Sequence, residues 1–283
     1  MKSLQVRASD VDLALYEWEG SEPTLLFLHA TGFHGRIWDQ VIKRLDDAHC
    51  FAVDQRGHGR SGKSAAAPEW STFAADVVAL IDHFGWSGAL GVGHSIGGHA
   101  LTAAAAARPS AFQHLLLIDP VILPEAYYTG IVEGEHFTAK RRAEWSNPDE
   151  MFERFRTRPP FDRWDQAVLR DYVTHGLMPN PAGGGCILAC DPAFEAAIYT
   201  YGFAANIHPL LDRVQIPVTV MRALVSGDAS PTNFSASPTT PDLAARLPHG
   251  QDIYLPQHTH FIPMEAPALV AESLRAMISA ARS

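Results

Sequence analysis

The segment Gly93-His94-Ser95-Ile96-Gly97 sets a serine between two glycines in the pattern G-x-S-x-G. A match that short arises by chance, so its surroundings decide its value. The apolar run Ala89-Leu90-Gly91-Val92 before it reads as a buried strand, and the alanine-rich stretch from Ile96 to Ala107, closed by Arg108-Pro109, reads as a helix. A serine on a tight strand-to-helix turn projects its Oγ above the sheet, and small residues at 93 and 97 let the turn close without clashes. The helix starting at Ile96 offers unpaired N–H groups to an oxyanion formed when a carbonyl is attacked. A serine hydroxyl is a weak nucleophile until a base takes its proton, so a histidine is needed later in the chain, in the order Ser, acid, His. His249, His258 and His260 are available. His260 is preferred because it lies just past a predicted strand and before the last helix, and His258 is its competitor. Ser95 as nucleophile and His260 as general base predict acyl transfer.

Such residues need a scaffold. From Thr24 onward, short apolar runs (Leu25 to Leu28, Phe51 to Val53, Ala89 to Val92, Leu115 to Ile118) alternate with segments of helical period. That alternation predicts a mostly parallel sheet with helices on both faces. Between Trp70 and Gly85, Phe73, Val77, Leu80, Ile81 and Phe84 recur at three- and four-residue spacing, with Ser71 as expected N-cap and Gly85 as terminator. A leading hairpin is expected from Leu4 to Arg7 and Leu13 to Tyr16. After Asp119-Pro120 the alternation stops until Ile216. The expected division is therefore a core of residues 1–122 and 214–283 and a helical cap of 123–213, whose many aromatics form the cap's own core while a few line a pocket.

Bulk properties bound the partners. The net charge is −9 and the basic residues are scattered, so nucleic acid and anionic membranes are poor partners. Lys140-Arg141-Arg142-Ala143-Glu144 reads as a solvated helix face. Three cysteines, with Cys50 inside an apolar run and Cys186 and Cys190 lacking a matching ligand pair, fit free thiols in a reducing compartment and argue against zinc. No signal-peptide pattern or stretch of about 20 apolar residues appears. The expectation is a cytoplasmic protein acting on a small molecule without cofactor or metal, with a homodimer allowed.

Four segments together resemble the α/β-hydrolase superfamily, in its capped, cofactor-free esterase and C–C hydrolase-like branch. They are His29-Ala30-Thr31-Gly32-Phe33-His34-Gly35, Asp54-Gln55-Arg56-Gly57-His58-Gly59-Arg60-Ser61, Gly93 to Gly98, and His260-Phe261-Ile262-Pro263-Met264-Glu265-Ala266-Pro267. The resemblance implies an α/β-hydrolase fold with a cap inserted after the strand ending at Asp119, and an oxyanion hole of the Ile96 and Thr31 backbone N–H groups. It also implies that the turn holding Asp54, Arg56 and His58 is structural. Ala30 stands where the family carries glycine. For the acid, the family position after the strand that follows the cap points to Asp228, one or two residues late. The alternative is Asp119, 24 residues beyond Ser95, whose bland reading is a turn-forming aspartate before a proline. His94, Phe33 and Trp38 are the expected pocket residues.

The expected function is hydrolysis of a carboxylic ester or lactone of a small, fairly apolar substrate through an acyl-enzyme on Ser95. C–C bond hydrolysis of a β-diketone type, with a cap arginine among Arg154, Arg156 and Arg163, and cofactor-free haloperoxidase chemistry are alternatives. A small-molecule receptor with vestigial hydrolysis is the alternative of another class.

Overall fold

The computed structural model describes residues 1–224 and 233–282. A hairpin of β1 (Lys2–Ala8) and β2 (Val11–Trp18) leads into β3 (Ser21–Leu28), α1 (Asp39–Ile42), β4 (Ala48–Val53), α2 (Trp70–Phe84), β5 (Ala89–His94), α3 (Ile96–Ala107) and β6 (Phe112–Ile118). An irregular segment follows with β7 (Glu144–Trp145), α4 (Pro148–Phe155), α5 (Gln166–His175), β8 (Leu177–Pro179), β9 (Cys186–Leu188) and α6 (Pro192–Gly202). The chain then returns through β10 (Val218–Ala223), α7 (Leu243–Arg246), β11 (Gly250–Leu255), α8 (Ile262–Glu265) and α9 (Pro267–Ala281).

Eight strands form one sheet in the order β1-β2-β4-β3-β5-β6-β10-β11, antiparallel at β1-β2 and β2-β4 and parallel beyond. The apolar runs are continuous because both faces of these strands are covered: Leu25 and Phe27 join one core cluster, and Leu26 and Leu28 the other. The hairpin and all four apolar runs lie in strands, as the patterning predicts. α2 departs in one detail. It starts at Trp70, with Glu69 rather than Ser71 as N-cap, because the buried Trp70 indole donates to the Ile198 carbonyl at 2.8 Å. Gly85 ends it in the left-handed conformation at φ 67°.

The aromatics of the irregular segment do not form a core of their own. Trp145, Trp164 and Tyr172 share one cluster with Phe33, Trp38 and Ile262, so the segment packs against the stretches that follow β3 and β11. Its small sheet, β7-β9-β8, is antiparallel. Among the described residues, no helix is long and apolar enough to cross a membrane.

Register places the chemistry. Leu28 pairs with Gly93, His94 with Ile118, and Ile118 with Met221. His29, Ser95 and Asp119 are therefore each at or just beyond the last paired position, at the carboxyl ends of adjacent parallel strands where such sheets bind ligands.

Candidate active site

Ser95 sits at φ 59° and ψ −121°, a conformation costly for a residue with a side chain. It is held there by four backbone bonds: its N–H donates to the Ile118 carbonyl (3.1 Å), and its carbonyl accepts from Gly98 (3.1 Å), His99 (3.3 Å) and Val121 (3.1 Å). The flanking glycines are sterically required. A Cβ at Gly93 would lie 2.6 Å from the Gly97 carbonyl group, and one at Gly97 would lie 2.5 Å from the Leu28 oxygen. Ile96 opens α3, so its N–H has no acceptor inside the helix.

The structure brings His260 and Asp119 together. His260 Nδ1 lies 2.6 Å from Asp119 Oδ2. A carboxylate only accepts, so Nδ1 carries the proton and Nε2 keeps its lone pair. Asp119 is fully buried, with φ 44°, and its Oδ1 accepts from the Ala223 N–H (2.9 Å) and Ser237 Oγ (2.6 Å); Thr239 Oγ1, 3.4 Å from it, donates to the Pro120 carbonyl at 2.7 Å. His260 is anchored through its backbone as well: its N–H donates to the Ser235 carbonyl (3.0 Å), and its own carbonyl accepts from His94 Nε2 (2.8 Å). Asp228 lies outside the described residues, and the single Nδ1 proton of His260 is already directed at Asp119. His258 is engaged elsewhere, with Nδ1 3.0 Å from Glu265.

Two expected pocket residues are located differently from the sequence reading. His94 is fully buried beside His260, ring centroids 4.8 Å apart, and burial drives its pKa well below the usual histidine range; it packs against the His260 ring instead of walling a pocket. Trp38 is also fully buried, 5.4 Å from the Phe27 ring, because the loop folds its indole into the core. Phe33 does reach the irregular segment, stacking on Trp164 at 5.7 Å and lying 5.2 Å from Tyr172.

The loop 29–35 is fixed from beneath. His58 Nε2 accepts from the Gly32 N–H (2.9 Å), Asp54 Oδ1 from Gly35 (2.6 Å), and His29 Nε2 from Gln55 (3.0 Å). His29 and His58 are therefore neutral acceptors at Nε2, and burial lowers both, His58 to about 4. Ala30 fits where a glycine was expected because the left-handed turn falls on Gly32, φ 82°. Among the described residues, no hydrogen bond uses the Thr31 N–H. The neighbouring turn is structural: Arg56 forks onto Asp76 at 2.6 and 2.7 Å, and Asp54 takes Tyr16 Oη (2.9 Å) and the Arg60 N–H (2.8 Å).

Sequence reasoning missed Ser235, Ser237 and Thr239, whose only signal was a Ser/Thr-rich loop. It also misplaced Arg141. No helix runs through 140–144; Arg141 turns inward, ion-paired with Glu195 and donating to Tyr172 Oη at 3.0 Å. Among the described residues, Asp39, Asp171 and His175 hold their ligand atoms within 4.8 Å of one another. Arg36 and Gln40 already occupy those two carboxylates.

A sequence model of the alpha/beta hydrolase family matches residues 25–273. The chain belongs to that family. It is 37% identical over 115 residues to lipase LipV of Mycobacterium tuberculosis, covering 40% of this chain and 43% of that one. Over 275 residues it is 24% identical to esterase Rv0045c of the same organism, covering 94% and 86%. Among solved structures, an E-2-(acetamidomethylene)succinate hydrolase superposes with a TM-score of 0.79 at 22% identity, covering 98% of this chain and 99% of that one. The first of these matches spans less than half the length of its relative.

Proposed function

We propose that the protein is a serine hydrolase that cleaves a carboxylic ester or lactone of a small, fairly apolar substrate through an acyl-enzyme on Ser95. The observation that carries the reading is the 2.6 Å contact of His260 Nδ1 with a fully buried Asp119, at the end of the strand beside the Ser95 turn. In this reading Asp119, not Asp228, is the acid. His260 Nε2 takes the proton from Ser95 Oγ as the oxygen adds to the carbonyl carbon. The oxyanion is received by the N–H groups of Ile96 and Thr31. As the carbon–oxygen bond to the leaving group breaks, the imidazolium returns the proton to that oxygen. Water repeats the sequence and frees Ser95. Residues 123–213 act as a cap, and the aromatic wall of Phe33, Trp164 and Phe261 favours an apolar substrate. Relatives named lipase and esterase support ester chemistry.

The test is turnover of short p-nitrophenyl esters and lactones, together with covalent labelling by a fluorophosphonate. Ser95→Ala is expected to abolish both. Persistent labelling at another serine would remove the assignment, and a single burst with retained product would favour a receptor.

A further inference from the structure

The oxyanion loop is held from above as well as from below. Gly32 donates downward to His58. On its other face, a Cβ would lie 3.0 Å from the Glu195 carboxyl and 3.1 Å from Arg141 Nη1, so the buried ion pair of Arg141 and Glu195 rests on the Gly32 backbone. The same guanidinium donates to Tyr172 Oη, and Tyr172 in turn accepts from His34 Nε2 through its carbonyl at 3.0 Å. Three residues of the irregular segment thus cover loop positions 32 to 34.

Local structure explains how the pair reaches that spot. Pro192 opens α6, and the Asp191 carboxylate caps it by accepting from Ala193 (2.9 Å) and Phe194 (3.1 Å). This fixes the first turn, which carries Phe194 and Glu195 side by side. Phe194 fills the space in which Gly57 has no side chain, beside His58, while Glu195 meets Gly32. One helical turn therefore bears on both loops that set the Gly32 peptide. Glu195 is nearly fully buried, with 4% of its side chain exposed, and a carboxylate so placed needs its cation. A buried ion pair adds little net stability, since desolvation offsets the attraction. Its use here is geometric.

The geometry points to Arg141 and Glu195 as positioning residues: they bear on Gly32 from above and so fix the Thr31 backbone just before it, whose N–H is the oxyanion donor. This rests on the assignment of Thr31 to the oxyanion hole made above.

The experiment compares wild type with Arg141→Lys, Glu195→Gln and the double variant Arg141→Met/Glu195→Leu, which leaves no unpaired buried charge. Each is measured for kcat and KM on a p-nitrophenyl ester, for Ki of a phenylboronic acid that forms a tetrahedral adduct on a catalytic serine, and for Tm. The double variant is expected to lose about 10- to 100-fold in kcat, the range that misplacing one donor gives. KM stays within about threefold, and the boronate Ki rises by the same factor as kcat/KM falls. Glu195→Gln, which keeps an oxygen for Arg141, retains most of the activity. Arg141→Lys preserves the charge but not the fork, and falls in between; it carries the test should the double variant not fold. Unchanged kcat in folded variants, or a rise in KM alone, overturns the inference. Ser95→Ala run alongside separates the two claims: if it retains turnover the proposed function fails, and if it is inactive while the pair variants keep wild-type kcat, only the positioning role fails.

Discussion

The ends of β5 and β6 lie side by side, and each forces a residue with a side chain into positive φ: Ser95 at 59° and Asp119 at 44°. The two are held there by different means. At Ser95 the conformation is made possible locally, by glycines two residues on either side whose added Cβ atoms would strike backbone. At Asp119 it is held at a distance, by the Met221 carbonyl on its N–H and by donors from Ala223, Ser237 and His260 on its carboxylate. The strain at Ser95 therefore advertises itself in the neighbouring sequence, whereas the strain at Asp119 does not.

The sharpest way to break this comparison is to neutralise the second end. Asp119→Asn keeps the shape but places a donor or a weaker acceptor against His260, and kcat is expected to fall about 10²- to 10⁴-fold. Asp228→Asn, assayed beside it, is expected to change kcat by less than about twofold, because the His260 Nδ1 proton is already directed at Asp119. Equal and mild effects would mean that the acid is a third residue, and the reverse order would restore Asp228.

That contrast also explains what was legible. The strands appeared as apolar runs because burial on both faces acts residue by residue, and the elbow appeared because its steric demands fall within five positions. The acid was harder to choose because the groups that hold Asp119 lie between 104 and 141 residues away, and only the β5-β6-β10 register brings them together. Trp38 and His94 were near the right place but on the buried side, a distinction that chain order does not carry. Arg141 looked like part of a solvated basic face since its partner Glu195 stands 54 residues on, in a segment without clear periodicity.

Acid should act on the two ends unequally. Around β5 and the loop above β3 the buried titrating groups are histidines held neutral: burial lowers His58 to about 4, and His29 and His94 well below the ordinary 6.5. Below pH 6.5 the unfolded chain takes up protons that the folded chain refuses, so stability falls with pH from about 6.5 toward 4 and is regained on raising it. For His58 alone the loss by pH 4 is about 3 kcal/mol. Urea unfolding at half-unit steps from pH 7 to 5 checks this, with Asp54, whose carboxyl burial raises, opposing the fall where it takes up a proton in the folded chain. A flat profile there would mean that these imidazoles are protonated in the folded protein.

The smallest effect expected is at Ser237, and it measures how the distant hold on Asp119 is shared. Its hydroxyl gives Oδ1 a 2.6 Å hydrogen bond and the Ala223 N–H gives it another at 2.9 Å, while the Thr239 hydroxyl donates to the Pro120 carbonyl at 2.7 Å with Oδ1 3.4 Å away. Ser237→Ala therefore leaves the buried carboxylate partly satisfied, and the expected loss is about 1 kcal/mol, read as roughly a fivefold lower kcat with KM unchanged. Thr239→Val combined with it should cost more than the sum of the two single changes, because with Ser237 Oγ gone the Thr239 hydroxyl is the one nearby group that can turn from the Pro120 carbonyl to Oδ1. Strict additivity would show instead that the two hydroxyls act independently, Ser237 on the carboxylate and Thr239 on the turn at Pro120.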